Sequence, residues 1–402
     1  MKNTIVKSML VCGAMLGTNS TIADVNVGAI YDVTGSFSIF GVMQSNAVKL
    51  AIDEINAKGG LLGEKLNLIT YDTQSELSKY TQYANTTVLR DRPSVVFGGM
   101  TSSSREAIRP IFRKANIPYF YSTLYEGGAC DKQTFVVSPS ASQQIKPLVE
   151  WAIKKYGPKM FIMAPDYNYG TISALWYNEY AKQFNGEVVG EDFLALTVTD
   201  YSPTIQKIQR AKPDFVVAIP VGPNQVGFLE QFASAGLKDS IPVVSSNYST
   251  ANEQVLLTPN AGKGIVSSHV YFSSLDNPEN KDFLKKWAKA YGKDQIISPE
   301  AVTAWNAVHL WANSVEKAGT FKSKPVYAAL ESGQISFKGP NGDVSMEPGS
   351  HHVKQNTYIA MGDDKYGFEV LETFKAVAPS YENEKCDLIT YPKLVEHFTP
   401  KA

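Results

Sequence analysis

Hydroxyl-bearing and aromatic side chains are concentrated in segments that follow predicted β-strands. Three such segments, residues 101–105, 121–127 and 165–170, hold serine, threonine, tyrosine and asparagine but no lysine. Ligands of open α/β sheets bind where the carboxyl ends of strands meet, and hydroxyl and amide groups satisfy a polar ligand without burying a charge. The segments therefore predict a binding site for a small, uncharged polar molecule.

The three serines Ser102, Ser103 and Ser104 allow more than one interpretation. They could hold a nucleophile, but no histidine or lysine lies in a neighbouring strand-end segment to activate it. A helix that begins near Ser103 would instead place hydroxyls and free backbone N–H groups at its positive end. Helix capping alone, or capping together with contact to a ligand carbonyl or carboxylate, are the interpretations that stay open.

Tyr167 and Tyr169 are the most informative tyrosines, because they stand two residues apart in a segment that follows a strand. Residues at that spacing in an extended segment face the same side. The two rings could therefore wall one small cavity. The alternative is ordinary half-buried packing with the hydroxyls in water.

The sequence lacks the motifs of several kinds of metal-binding, phosphate-binding and catalytic site. The histidines are His269, His309, His351, His352 and His397, and no H-x-x-x-H or C-x-x-C spacing occurs. The phosphate-binding glycine motifs and the G-x-S-x-G hydrolase turn are also missing from the sequence. We therefore expect no metal site, no cofactor, no catalytic residues and no enzyme activity.

Charge and composition narrow the class of partner. The chain has 402 residues with 38 basic and 39 acidic side chains, a formal net charge of −1, and 44% hydrophobic residues. Without a basic block, nucleic acid is not an expected partner. The apolar content suffices for two or three domain cores.

Strands and helices alternate in two series. The first runs from the strand Val25–Tyr31 and the helix Met43–Lys58 to the strand Tyr119–Tyr121, and the second runs from residue 143 to 245. Regular β-α alternation predicts mostly parallel sheets covered by helices. A stretch near Val270–Phe272 and a long helix, Pro299–Ala318, then return the chain to the first unit.

Residues 1–23 have the pattern of a cleavable secretory signal. Lys2 and Lys7 precede an apolar run, and small residues end at Ala23. A buried N-terminal strand is the alternative, and lipid attachment at Cys12 is disfavoured by Val11 before it. We expect export and no membrane-spanning segment.

Cys130 and Cys386 are the cysteines that follow the predicted signal. An even number of cysteines in an exported protein suggests a disulfide between them. Two unpaired buried thiols are the alternative.

Longer motifs resemble a known family. The sequences GAIYDVTGS at 28–36 and AIDEINAKGGLLG at 51–63 resemble the type I periplasmic solute-binding proteins as a whole. The motifs TSSSR at 101–105, YEG at 125–127 followed by Cys130, DYNY at 166–169 and YFSSLD at 271–276 resemble the branch that binds short-chain amides and urea. That branch is related to the Leu/Ile/Val-binding proteins.

The resemblance implies a two-lobed α/β fold, each lobe a mostly parallel sheet flanked by helices, with a three-segment hinge. It implies an N-terminal lobe of residues 24–140 plus 272–348, and a C-terminal lobe of residues 141–271 plus 349–402. It also implies residues that hold a ligand amide between the lobes. By position these are Ser102, Tyr121, Thr123, Tyr167 and Tyr169. The chain departs from the branch at Gly170, where proline is frequent, and at Ser122-Thr123-Leu124.

The implied function is the periplasmic substrate-binding component of an ABC importer, which captures a short-chain amide or urea by hinge closure and delivers it to permease subunits in the inner membrane. An amino-acid binder, branched-chain or other, is one alternative; it needs a carboxylate for the ligand ammonium, for which Asp166 and Asp200 are candidates. A cytoplasmic amide-sensing regulator and a hydrolase are further alternatives. The predicted signal disfavours the regulator, and the missing base disfavours the hydrolase.

Overall fold

The computed structural model describes residues 24–401 with the exception of residues 251 and 294. The predicted signal at 1–23 lies outside the described residues. The β-strands, in chain order, are β1 (Val25–Tyr31), β2 (Leu66–Asp72), β3 (Val96–Gly98), β4 (Tyr119–Tyr121), β5 (Ala129–Cys130), β6 (Thr134–Val136), β7 (Lys159–Pro165), β8 (Glu187–Leu194), β9 (Phe215–Ala218), β10 (Val243–Ser245), β11 (Val266–His269), β12 (Ser336–Gly339), β13 (Gly342–Met346), β14 (Val353–Gly362), β15 (Phe368–Val377) and β16 (Glu396–His397).

The helices cover the sheets and connect their strands. In chain order they are α1 (Ser38–Ala57), α2 (Leu77–Thr86), α3 (Ser102–Ala115), α4 (Ala141–Tyr156), α5 (Asn168–Gln183), α6 (Ser202–Ala211), α7 (Pro223–Ser234), α8 (Pro259–Gly262), α9 (Pro278–Tyr291), α10 (Pro299–Ala318), α11 (Ser323–Leu330) and α12 (Ser380–Lys385). A π-helical turn, Thr87–Asp91, extends α2, and a 3₁₀ turn, Glu253–Leu256, precedes α8.

The first sheet has the order β2-β1-β3-β4-β6, and all its neighbouring strands are parallel. Strand β1 is buried from Val27 to Tyr31, and β3 and β4 are buried throughout. Strands buried on both faces carry near-continuous apolar runs, which is the pattern of parallel sheets. Helix α10 packs along α1 on this sheet.

The second sheet has the order β12-β13-β14-β11-β10-β9-β7-β8, with β15 beside β14. Strands β7 to β11 are parallel to one another, whereas β12 to β15 pair antiparallel, with β14 antiparallel to β11. The predicted α/β fold with mostly parallel sheets flanked by helices is confirmed. The antiparallel strands were not predicted from the sequence.

Strand β14 joins the two halves of the molecule. Its first residue, Val353, pairs with β13, and His352 just before it bridges to Val136 of the first sheet. Farther along, Tyr358–Met361 pairs with β11 of the second sheet. One continuous strand therefore contacts both sheets.

Cys130 and Cys386 form a disulfide with a Cα–Cα distance of 5.7 Å. Beside it, β16 pairs with β5. The bond attaches the C-terminal segment to the edge of the first half. Among the described residues, no helix has the length and apolar character needed to cross a membrane.

Candidate functional site

Helix α3 begins at the carboxyl edge of the first sheet, just after β3. Thr101 is its N-cap: the Thr101 side chain accepts a hydrogen bond from Ser104 N at 3.1 Å, and Ser104 Oγ accepts one from Thr101 N at 3.0 Å. This reciprocal capping leaves Ser102 and Ser103 as the first helical residues. Their backbone N–H groups have no helical acceptor, as at every helix start.

The side chain of Ser102 is part of a buried ionic network. Its hydroxyl donates to Glu126 Oε2 at 2.6 Å, and the Glu126 carboxylate also pairs with Arg105. The Arg105 guanidinium is fully buried and lies 4.9 Å from the ring centre of Tyr121 and 5.0 Å from that of Tyr125. Burial acts to lower the pKa of Arg105, but the nearby carboxylates raise it well above its usual value. The network fixes Ser102 in place.

Tyr121 and Thr123 are buried and bonded to backbone. The Tyr121 hydroxyl lies 2.7 Å from Leu124 O and 3.0 Å from Met100 O, and Thr123 Oγ1 donates to Gly99 O at 2.8 Å. Their hydroxyls therefore hold the strand-end segments together. The Tyr121 ring packs against the Arg105 guanidinium and within an apolar cluster.

The second half contributes Tyr167 and Tyr169 at the start of α5. Their ring centres are 6.2 Å apart, and both side chains belong to an apolar cluster with Tyr121 and Phe40 of the first half. Burial raises the pKa of both tyrosines well above 10, so both hydroxyls are protonated at neutral pH. The structure thus brings rings from both halves into one cluster.

A cavity of about 220 Å³ lies beside Tyr167. It is lined by Asp32, Phe37, Ser75, Leu77, Tyr80, Thr101, Ser103, Ser104, Tyr167 and Leu196. Residues of the first half surround most of it, and Tyr167 and Leu196 close it from the second half. Of the five predicted ligand residues, Tyr167 lines this cavity, whereas Ser102, Tyr121, Thr123 and Tyr169 are not among its lining residues.

Steric packing explains why glycine stands at position 170 in this chain. A Cβ atom at this position would lie 1.9 Å from Pro165 O, because α5 starts directly against the end of β7. The same close approach excludes proline. Local packing therefore explains why this chain has glycine at position 170, where proline is frequent in the family. The same packing fixes the position of the neighbouring Tyr169.

Three polar residues that the sequence did not single out lie next to the predicted ones. Gln44 Nε2 donates to Thr123 Oγ1 at 2.9 Å and to Ser122 O at 3.2 Å, and Thr303 Oγ1 donates to the same Ser122 carbonyl at 2.8 Å. Glu300, one turn before Thr303 on α10, is 4% exposed. An acidic residue in the first turn of a helix is ordinarily exposed, and its negative charge interacts favourably with the helix dipole. The sequence therefore gave no indication that Glu300 is buried.

The carboxylates proposed for an amino-acid ligand lie elsewhere. Asp166 and Asp200 are exposed, and Asp200 Oδ1 accepts a hydrogen bond from Ser202 N that lowers the pKa of Asp200. The buried acids near the tyrosines include Glu126, which pairs with Arg105, Asp32, which lines the cavity beside Tyr167, and Glu300. Burial, and after it the charge of Glu253, raises the pKa of Glu300 well above its usual value. Over the described ranges, no group of three or more His, Cys, Asp or Glu residues has the arrangement of a metal site.

Comparison with known sequences gives a consistent picture. A family profile described as "Periplasmic binding protein" matches residues 24–366. The Leu/Ile/Val-binding protein homolog 6 of Brucella melitensis biotype 1 is 26% identical over 372 residues, covering 90% of this chain and 94% of the relative. The homolog 8 of Brucella abortus is 28% identical over 254 residues, covering 58% and 62% of the two chains.

Solved structures share the fold. A solute binding protein of an ABC transporter from Rhodopseudomonas palustris BisB5, in complex with 3,4-dihydroxybenzoic acid, has a TM-score of 0.78 at 24% identity and covers 89% of this chain and 99% of its own. The substrate binding protein LivJ of Streptococcus pneumoniae, in complex with isoleucine, has a TM-score of 0.77 at 21% identity and covers 88% and 99%. The two-lobed architecture is therefore that of these binding proteins. With a family match that spans most of its length, the chain belongs to the periplasmic binding protein family.

Proposed function

We propose that this chain is the substrate-binding component of an ABC importer and that it captures a small molecule between its lobes by hinge closure. The observation that carries the proposal is the single cluster in which Tyr121 of the first lobe meets Tyr167 and Tyr169 of the second. A ligand bound there contacts both lobes and favours the closed arrangement. Capture and release need no catalytic residue and no cofactor.

An amino acid is the ligand that we favour. The curated relatives are named as Leu/Ile/Val-binding protein homologues, and a solved protein of the same fold holds isoleucine. A short-chain amide or urea is the second candidate, supported by the hydroxyl-rich segments at 101–105 and 121–127. The aromatic acid in a neighbouring structure marks a third class that an experiment has to include.

The proposed partners follow from this role. After export directed by residues 1–23, the protein would act in the periplasm and present its closed form to permease subunits in the inner membrane. The two predicted lobes, 24–140 plus 272–348 and 141–271 plus 349–402, would rotate about the segments that connect them. Strand β14, which contacts both sheets, is one such segment.

A thermal-shift screen of the ligand-stripped mature protein tests the proposal. A ligand at 100 times its dissociation constant stabilises the folded state by about 2.7 kcal/mol. We expect such a shift with an amino acid such as L-leucine, or with acetamide or urea. The shift should disappear in Tyr167→Ala and persist in Tyr391→Ala, since Tyr391 is 62% exposed and outside the cluster. A shift that survives Tyr167→Ala unchanged would move the ligand away from this site.

A further inference from the structure

Two acceptor groups near the interlobe tyrosines lack donors of matching strength. The Gln44 side chain is fully buried, and its Oε1 atom has no hydrogen-bond partner in the part of the chain that the structure describes. The carboxylate of Glu300 forms no ion pair with a basic side chain in these same residues, and its one hydrogen bond, from Thr303 Oγ1 to Oε2, is 3.5 Å long. Buried acceptors without donors are costly and uncommon.

The two acceptors lie around one backbone carbonyl. Gln44 Nε2 and Thr303 Oγ1 both donate to Ser122 O, and Thr303 stands one helical turn after Glu300. Ser122 itself immediately precedes Thr123, one of the predicted ligand residues. The acceptors thus lie in the first lobe, beside a predicted ligand residue.

The second lobe approaches the same place. Asn252 Nδ2, next to Glu253 in the chain, donates to Ile296 O at 2.5 Å, four residues before Glu300. Burial raises the pKa of Tyr169 and that of Glu300, and the charge of Glu300 adds to the first shift and the charge of Glu253 to the second. Tyr169 and Glu253 both lie in the second lobe. The titratable groups around Glu300 are therefore Glu253 and the tyrosines Tyr31 and Tyr169. None of them carries a positive charge.

We propose that Glu300 and Gln44 form the acceptor end of the ligand site and bind N–H groups of an amine or amide ligand. The proposal rests on the proposed function and narrows its substrate class to molecules that donate N–H hydrogen bonds. Burial favours the neutral form of Glu300 in the free protein; a ligand ammonium supplies N–H donors and a positive charge that favour the carboxylate, and an amide N–H can donate to the Glu300 carbonyl oxygen. A carboxylate ligand without N–H groups can do neither. The proposal therefore predicts that aromatic and aliphatic acids without N–H groups do not bind at this site.

The first test compares ligands on the wild-type protein. L-Leucine, acetamide and urea carry N–H groups, whereas isovalerate and benzoate carry none; isovalerate has the branched carbon skeleton of leucine without its ammonium. We expect a raised melting temperature with at least one of the first three and none with the two acids. Equal shifts with isovalerate and leucine, or a shift with benzoate alone, would overturn the N–H requirement while leaving the transport role intact. No shift with any of the five would contradict the proposed function itself.

The second test removes the acceptor. Glu300→Met should weaken binding of the N–H ligand roughly ten- to hundredfold, the loss expected for a hydrogen bond to a charged group. Its melting temperature without ligand should stay level or rise, because an apolar side chain of similar length replaces a buried acid with no cationic partner. The matched control is Glu316→Gln at the exposed end of the same helix, which should leave affinity unchanged.

The outcomes of the variants are distinct. If Glu300→Met keeps its stability but loses affinity for the ligand, the assignment is supported. Substitution of a purely structural residue would change stability and affinity together. Wild-type affinity in Glu300→Met overturns the assignment. A third variant, Glu300→Gln, distinguishes an ammonium ligand from an amide ligand. Loss of the carboxylate charge should weaken the binding of an ammonium far more than the binding of a neutral amide.

Discussion

At the scale of single residues, burial determines which groups are charged. His269 is 2% exposed; its Nδ1 atom lies 3.0 Å from Gln144 Nε2, and its Nε2 atom lies 3.0 Å from Tyr248 O. The imidazole is therefore neutral, with Nε2 as donor and Nδ1 as acceptor. Burial lowers the pKa of His269 to about 3.

This pKa predicts how the free energy of unfolding depends on pH. Between the unfolded pKa of about 6.5 and the folded value, the unfolded chain binds a proton that the folded protein rejects. The wild type should lose stability relative to His269→Gln as pH falls below 6.5, by up to about 1.4 kcal/mol per pH unit. Denaturant unfolding at pH 7.5 and pH 5 measures this difference. A difference between the two proteins that is the same at both pH values would contradict a buried neutral imidazole.

Residue types and positions predicted some residues near the candidate site and missed others. Tyr121, Tyr167 and Tyr169 are brought together in one apolar cluster. Thr123 donates to Gly99 O, and Ser102 lies at the start of α3 and donates to Glu126. Whether they touch a ligand stays a prediction. Gln44 and Glu300 were not foreseeable, because the sequence does not reveal that a polar residue on a helix surface becomes buried when a second element covers it.

At the scale of elements, the periodic patterns predicted types well and boundaries less well. The strand at 25–31, the strand at 119–121 and the helix at 299–318 have the predicted bounds. Helix α1 begins at Ser38, five residues before the predicted start, because its first residues, Ile39 to Val42, are an apolar run with a glycine and show no three- or four-residue period. The antiparallel strands after residue 336 alternate between buried and exposed residues only in part. Their sequences therefore lack the two-residue hydrophobic period from which a strand is predicted.

The junction of β7 and α5 yields an element-scale prediction. Alanine in place of glycine inside a helix ordinarily adds about 1 kcal/mol of stability. Gly170→Ala should instead destabilise by about 1–3 kcal/mol, because its Cβ would overlap the Pro165 carbonyl oxygen and force α5 from β7. Displacement of α5 should also weaken ligand binding through Tyr169.

The matched control for that substitution is Gly227→Ala in α7. Its Cβ would meet Tyr201 Cε2, a side-chain atom, at 3.1 Å, and no backbone atom is among its nearest neighbours. Melting temperatures of both variants, measured with and without ligand, check the prediction. Equal effects of the two substitutions would show that contact with the strand end is unimportant.

At the scale of the whole molecule, the C-terminal segment connects to both lobes. The disulfide from Cys386 to Cys130 and the pairing of β16 with β5 tie it to the first lobe. The Tyr381 ring packs against Trp176 of α5, with ring centres 4.6 Å apart, and Trp176 Nε1 donates to Glu126 O of the first lobe at 2.9 Å. The segment is therefore placed to stabilise the assembled molecule more than either lobe alone.

Removal of the disulfide tests that placement. The bond spans a sequence separation of 256 residues, and a covalent link that closes a long loop restricts the unfolded chain. The double variant Cys130→Ser/Cys386→Ser should lose about 2–5 kcal/mol of unfolding free energy in denaturant titrations. Reductant should lower the stability of the wild type toward that of the double variant and leave the variant unchanged. If reductant and substitution both leave the unfolding free energy unaltered, the C-terminal segment is held by its packing on Trp176 and by β16 alone.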